Sequence, residues 1–272
     1  MEVDNGQVLI EKAEGLATIT LCRPGKLNAL SPAMRAALGE HLGDAARDDA
    51  IRVVLIRAQG SDFCAGADLM DAPDAPLVWR DRIRIAQAHH LSIVRMKKPV
   101  IAAVQGRAVG GGASLALAAD ILILADDAKL VFPFVKLGVV PDGGASALLQ
   151  AKAGAAASLD LLLTAGALDA AEARQLGLTR RVVAAAQLDS ASIALAHALL
   201  KLPWEALMLT KALCAQQWAH GLESVLAHES DAFALATSTH GHRQAMAAMR
   251  ESLGRQKERD AMNGKNTGAA QR

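Results

Sequence analysis

The stretch VIAAVQGRAVGGGASLALAADILIL, residues 100–124, decides the fold. Val100 to Val104 is a short, continuously apolar run, as expected of a strand covered on both faces. Gly106 to Gly112 is a glycine-rich loop, Ala113 to Ala119 has helical composition, and Ile121 to Leu124 is a second apolar strand. The same order recurs upstream. Val53 to Ile56 reads as a buried strand, followed by a Gly-containing loop and a helical pattern from about Leu77 to Lys97 that Pro99 stops. Before them, Val8–Ile10 and Ala17–Leu21 read as strands closed by the turn Arg23-Pro24-Gly25. Ser31-Pro32 has the form of an N-cap with proline at the first helical position, opening a helix through about Ala46. Strand, loop and helix in alternation predict an α/β domain built of ββα units.

Beyond about Gly138 the strand signals fade. Only Arg181–Val183 reads as extended, and the rest is Ala/Leu-rich helix. Pro203 opens one helix, Gly221 is expected to interrupt it, and an amphipathic stretch runs from His242 to Lys257. The expected organisation is an α/β core over 1–200, a helical C-terminal module over 201–258, and a tail over 259–272 without apolar periodicity, read as disordered.

Composition narrows the function. The 272 residues are 52% hydrophobic and 21% charged with a net charge of +1, so no global field recruits nucleic acid or an anionic membrane. Aromatics are scarce, with three Trp, four Phe and no Tyr, which speaks against base-stacking platforms and against an aryl pocket. Cys22, Cys64 and Cys214 share no zinc or redox spacing, and no metal site is expected. The opening MEVDNGQVLIEKAEG carries acids and no apolar core, so no signal peptide is read. The most apolar stretch, Ala108 to Ala125, is broken by three glycines and Asp120 and reads as buried helix and strand rather than a membrane span. The expectation is a soluble, cytoplasmic chain.

Three segments can carry chemistry. In Phe63-Cys64-Ala65-Gly66-Ala67-Asp68-Leu69 the small residues would let backbone approach a ligand, although a tight loop needs nothing more. Val109-Gly110-Gly111-Gly112-Ala113-Ser114 sits where a strand meets a helix, so its unpaired N–H groups and the positive dipole end suit an anion. No P-loop lysine or G-x-G-x-x-G spacing accompanies it, and a close helix–strand crossing is the plainer reading. In the third, Val131-Phe132-Pro133-Phe134-Val135-Lys136-Leu137-Gly138-Val139-Val140-Pro141-Asp142-Gly143-Gly144, the Pro-Asp-Gly is an ordinary turn on local grounds. An aspartate among apolar segments is also a candidate general base.

In order and spacing, RPGKLNALSPAM, FCAGADL, KPVIAAVQGRAVGGGASLALAAD, FPFVKLGVVPDGG and LLLTAGALDAAEARQLGLTRRVV resemble the crotonase (enoyl-CoA hydratase/isomerase) superfamily, from about Arg23 to Val183. The resemblance implies a spiral of ββα units with a helical trimerisation module, giving a homotrimer or a hexamer. It implies a coenzyme A thioester as substrate and no separate cofactor. Carried over by position, the backbone N–H groups of Ala67 and Gly111 form the oxyanion hole, beside Gly110. Coenzyme A lies against Lys26, Leu27 and the loop Ala65, Gly66, Ala67, Asp68 and Leu69. Asp68 also reads as a plain cap for the following turn.

The departures decide the reaction. The two glutamates of hydratases fall on Ser114 and Phe134, neither of which titrates, so hydration by that pair is not expected. Asp142 resembles the single catalytic carboxylate of Δ3,Δ2-enoyl-CoA isomerases, with Phe134 excluding water from the acyl pocket. The alternatives are a hydratase with atypical acid/base residues, a 4-chlorobenzoyl-CoA dehalogenase-like hydrolase using Asp142 as nucleophile, and a non-enzymatic crotonase fold binding RNA or protein. The dehalogenase helix histidine would fall on Gln87. His89 and His90 read as exposed or internally satisfied helix residues.

Overall fold

The structure, a computed structural model of the chain, describes residues 6–73 and 75–269, without the side-chain surroundings of 216–220 and 256–269. Two sheets organise it. The strands are β1 (Gln7–Ala13), β2 (Leu16–Cys22), β3 (Val53–Ala58), β4 (Val100–Val104), β5 (Arg107–Val109), β6 (Ile121–Ala125), β7 (Lys129–Val131), β8 (Ala167–Asp169) and β9 (Arg181–Val183). The larger sheet runs β1-β2-β3-β4-β6-β9, antiparallel at β1/β2 and parallel thereafter. The smaller runs β5-β7-β8, parallel and then antiparallel.

The helices are α1 (Pro32–Arg47), α2 (Pro76–Arg95), α3 (Gly111–Ala118), α4 (Ala145–Ala153), α5 (Ala155–Leu163), α6 (Ala170–Gln175), α7 (Leu188–Leu200), α8 (Trp204–Thr237) and α9 (His240–Ala269). Each turn of the spiral therefore places one long strand in the large sheet, then a short extended piece in the second layer, then a helix. The sequence β4-β5-α3 is one such turn. In the turn after β3, Cys64 supplies the short piece as a parallel bridge to Ala108. The fold is mixed α/β and crotonase-like, as the sequence reading expects.

Burial explains the apolar runs. Val53 to Ile56 and Val100 to Val104 are wholly inaccessible, because helices cover both faces of the sheet. At Ser31 the cap forms, with Oγ accepting from the Met34 N–H at 3.2 Å and Pro32 opening α1. Three strands escaped the sequence reading: β5, β7 and β8 have three residues each, too few to show a period. Two expectations for the C-terminal helices need correction. Gly221 does not interrupt α8, since a helical glycine costs only about 1 kcal/mol and Leu222, Leu226 and Phe233 are buried around it. Helix α9 also runs past Lys257 to Ala269, through a stretch rich in helix-forming Arg, Gln, Lys, Glu and Ala, so the expected disorder from 259 does not hold there. The last three residues lie outside the described ones.

Helix α8 packs against α2 and α4. An ion pair ties it to the core: the buried Lys211 Nζ lies 2.6 Å from Oδ2 of the more accessible Asp120 and donates to the Ile93 and Lys98 carbonyls at 2.9 Å. Among the described residues no single helix is long and apolar enough to cross a membrane.

Candidate active site

The two glycine segments are pressed together. Val109 N–H donates to Cys64 O at 2.9 Å, and Cys64 N–H to Arg107 O at 3.1 Å. The 63–69 loop is stitched on its other side to the segment after β2, with Leu30 N–H to Gly66 O at 2.8 Å and Ala65 N–H to Leu27 O at 2.9 Å. Side chains would prevent this approach. Gly66 has φ +80°, and a Cβ there would sit 2.6 Å from Val109 O and 3.3 Å from the Gly111 nitrogen. At Gly112 a Cβ would meet Cys64 O at 2.2 Å.

Gly111 is the first residue of α3, so its N–H has no intrahelical acceptor. Ala67 stands in the facing loop as an isolated bridge to Leu30. Among the described residues neither N–H meets an acceptor outside the regular ladders. The positive end of α3 stands behind the Gly111 N–H.

A cavity of about 210 Å³ opens beside them. Its walls include Ala65, Gly66, Ala67, Leu69, Gly110, Gly111, Phe134 and Asp142, which brings together most of the residues expected at the site. Lys26 and Leu27 stand apart on the exposed 3-10 turn Pro24–Lys26 and just after it. The Leu27 carbonyl, accepting from Ala65 N–H, joins them to the loop. Asp68 does not line the cavity. It caps the turn through Met70 N–H at 3.0 Å and pairs with Arg23 at 2.8 Å, which matches the plainer reading given it above.

Among the described residues Asp142 is the one carboxylate on the cavity wall. A Cβ on Gly111 would lie 3.6 Å from its Oδ1, so the carboxylate adjoins the first residue of α3. Oδ1 is buried with no partner among the described residues. Burial pushes the carboxyl up to about 7. Ser114, standing where a hydratase glutamate would be, is inaccessible and donates through Oγ to the Asp142 carbonyl at 2.8 Å. It pins the turn that carries the carboxylate. Phe134 is buried with its ring edge 3.7 Å from a Cβ position on Gly110, closing the same wall.

Several contributors were not legible in the sequence. Glu229 on α8 is buried, and its Oε2 accepts from Gly144 N–H at 2.9 Å and from Gln87 Nε2 at 3.1 Å. Burial, and then the charge of Asp142, push it up to about 8. Asp142 feels no reciprocal push, because it ionises while Glu229 still holds its proton. Gln87 is committed to Glu229 and the Leu226 carbonyl. His89 and His90 are buried rather than exposed. His90 donates from Nδ1 to Gly143 O at 2.9 Å, and burial pushes both rings down to about 4, so they are neutral props. Glu229 lies 87 residues from Asp142 in sequence, and only the docking of α8 brings it near, so no local pattern announces it.

The aromatic reading also changes. Scarce aromatics argued against an aryl pocket, yet three of them, Trp79, Phe134 and Phe233, line this one cavity. Trp79 and Phe233 meet at 5.3 Å between centroids.

Two backbone N–H groups without a loop acceptor, a buried carboxylate beside one of them and a largely apolar cavity make up the candidate active site. The comparisons make the class specific. The family model for Enoyl-CoA hydratase/isomerase matches residues 11–259, and the chain belongs to that family. A 1,2-epoxyphenylacetyl-CoA isomerase of Escherichia coli is 36% identical over 246 residues, covering 89% of this chain and 94% of its own. A short-chain-enoyl-CoA hydratase of Clostridium acetobutylicum is 30% identical, over 92% and 96% of the two chains. The crystal structure of an enoyl-CoA hydratase from Mycobacterium avium subsp. paratuberculosis superposes with a TM-score of 0.83 at 28% identity, covering 91% and 99%.

Proposed function

We propose that the chain is an acyl-CoA isomerase of the Δ3,Δ2-enoyl type, with Asp142 as its single acid/base. The observation that carries this is the Asp142 carboxylate on the cavity wall beside Gly111, its Oδ1 without a partner among the described residues and its pKa raised to about 7 by burial. A base works best with a pKa near the working pH, and Asp142 meets that condition where Ser114 and Phe134 supply no proton site. In the reaction Asp142 takes a proton from C2 of a 3-enoyl thioester. The electron pair moves onto the thioester oxygen, which the Ala67 and Gly111 N–H groups hold as a dienolate, and the same carboxyl returns the proton to C4. Losing one such donor typically costs about 3–4 kcal/mol of transition-state stabilisation. Coenzyme A would lie outward, past Leu69 toward Leu27 and Lys26.

A second reading has support of its own. The aromatic walls suit a ring-bearing acyl group, and a relative of 36% identity is named for isomerising an epoxyphenylacetyl thioester. Both readings use the same oxyanion pair and carboxylate. We further propose a homotrimer or a hexamer, supported by exposed leucines on α5 and α8 such as Leu159, Leu163, Leu209 and Leu213.

The test is turnover of purified protein on 3-enoyl-, 2-enoyl- and 4-chlorobenzoyl-CoA. Double-bond migration is expected. Conversion of only the 2-enoyl substrate, to a 3-hydroxy product, would replace isomerisation by hydration.

A further inference from the structure

We infer that His242 makes the acyl cavity selective for a ring-bearing thioester with a hydrogen-bonding oxygen substituent on the ring, held at Nε2. This takes from the proposed function only that the cavity receives the acyl group. His242 stands near the start of α9 and is buried at the cavity wall with Asp142. Its Nδ1 lies 2.8 Å from the Leu137 carbonyl. A carbonyl can only accept, so Nδ1 carries the hydrogen, and in the neutral ring Nε2 is a bare acceptor.

No other side-chain hydrogen bond is made by His242 among the described residues. Its ring stands edge-on to Trp79, 6.5 Å between centroids at 85°. Nε2 is therefore the polar atom this histidine can offer in a chamber whose walls also include Trp79, Phe134, Phe233, Met246 and Met249, in addition to Asp142. A ring fits those walls because aromatic pairs gain from edge-to-face and offset contacts. The volume, about 210 Å³, is below the roughly 300–1,000 Å³ of drug-sized sites, which favours a compact group. A hydroxyl on that ring would donate to Nε2, and an unsubstituted ring would leave the nitrogen facing carbon. Sites built to bond a substrate oxygen discriminate strongly against analogues without it.

The experiment is calorimetric binding of phenylacetyl-CoA and of its 2-, 3- and 4-hydroxyphenyl counterparts, with the ratio of two affinities read within each protein. In the wild type one hydroxylated isomer is expected to bind about 5- to 10-fold tighter than phenylacetyl-CoA, the yield of one net hydrogen bond. His242→Asn keeps an amide nitrogen where Nδ1 sits, so the tie to Leu137 survives while Nε2 is removed, and the ratio should fall to near one. His242→Gln places a polar group near Nε2 and should recover part of the ratio. No preferred isomer in the wild type, or a preference that survives in His242→Asn, overturns the inference. None of these thioesters carries a movable double bond. A binding preference without isomerase turnover therefore sinks only the reaction proposed above, and failure of every thioester to bind sinks both.

Discussion

Asp142→Asn should make the protein more stable and almost inactive, and the stability gain should depend on pH. The carboxyl is fully buried, with Oδ1 partnerless, and burial raises it from 3.8 to about 7. Burial penalises the ionised form, so the folded chain holds this proton up to about pH 7 while the unfolded chain gives it up near 3.8. Folding stability from this group is therefore greatest below the unfolded value and declines as pH rises through the folded one. At 1.36 kcal/mol per pH unit, the full decline is on the order of 4 kcal/mol, of which roughly 2 has occurred by pH 5. Asparagine has the same shape and never ionises, so the variant does not suffer that decline. It also relieves Glu229 of a neighbouring charge.

The assay is urea unfolding of both proteins at pH 5 and pH 8, with turnover at pH 8. The stability difference should favour the variant and widen by about 2–3 kcal/mol from pH 5 to pH 8. Turnover should fall by roughly 10²- to 10⁴-fold, the usual contribution of a positioned base. A difference that is flat in pH would mean that Asp142 titrates normally. Turnover within a few-fold of wild type would mean that another group moves the proton.

Three further outcomes follow from the same geometry. The pH profile of turnover should rise through about 7 as Asp142 ionises and fall above about 8 as Glu229 places a second charge against the dienolate; Glu229→Gln should abolish only the fall, and an unchanged alkaline limb would refute that role. Gly66→Ala should lower kcat by about 100-fold, because its Cβ, 2.6 Å from Val109 O, forces apart the two loops that carry the donors; near-normal kinetics would show that the loops yield. Ser31→Ala should cost about 1 kcal/mol in chemical denaturation by removing the cap on Met34 N–H, with turnover unchanged.

How much of this was legible in the sequence follows from how local each feature is. Val53–Ile56 and Val100–Val104 announce themselves because a strand covered on both faces must be apolar at every position. Ser31-Pro32 does so because a cap is satisfied within three residues. The three-residue strands β5, β7 and β8 carry no such mark: their pairing is decided by neighbours in the spiral. The two glycine segments were readable because their close approach forbids side chains at Gly66 and Gly112, leaving those glycines as a trace. Asp142 could be nominated but not distinguished from a turn residue, since its poise depends on burial that Ser114, His90 and α8 jointly impose. Glu229 and His242 lay beyond reach altogether, on helices whose docking is set by contacts such as Lys211 with Asp120 and His242 with Leu137. The donors proposed to hold the oxyanion are written in two short segments, whereas the groups that set the carboxylate's proton affinity and line the cavity come largely from α2, α8 and α9. Changes in those helices can redirect substrate and pH response while the glycine segments stay as they are.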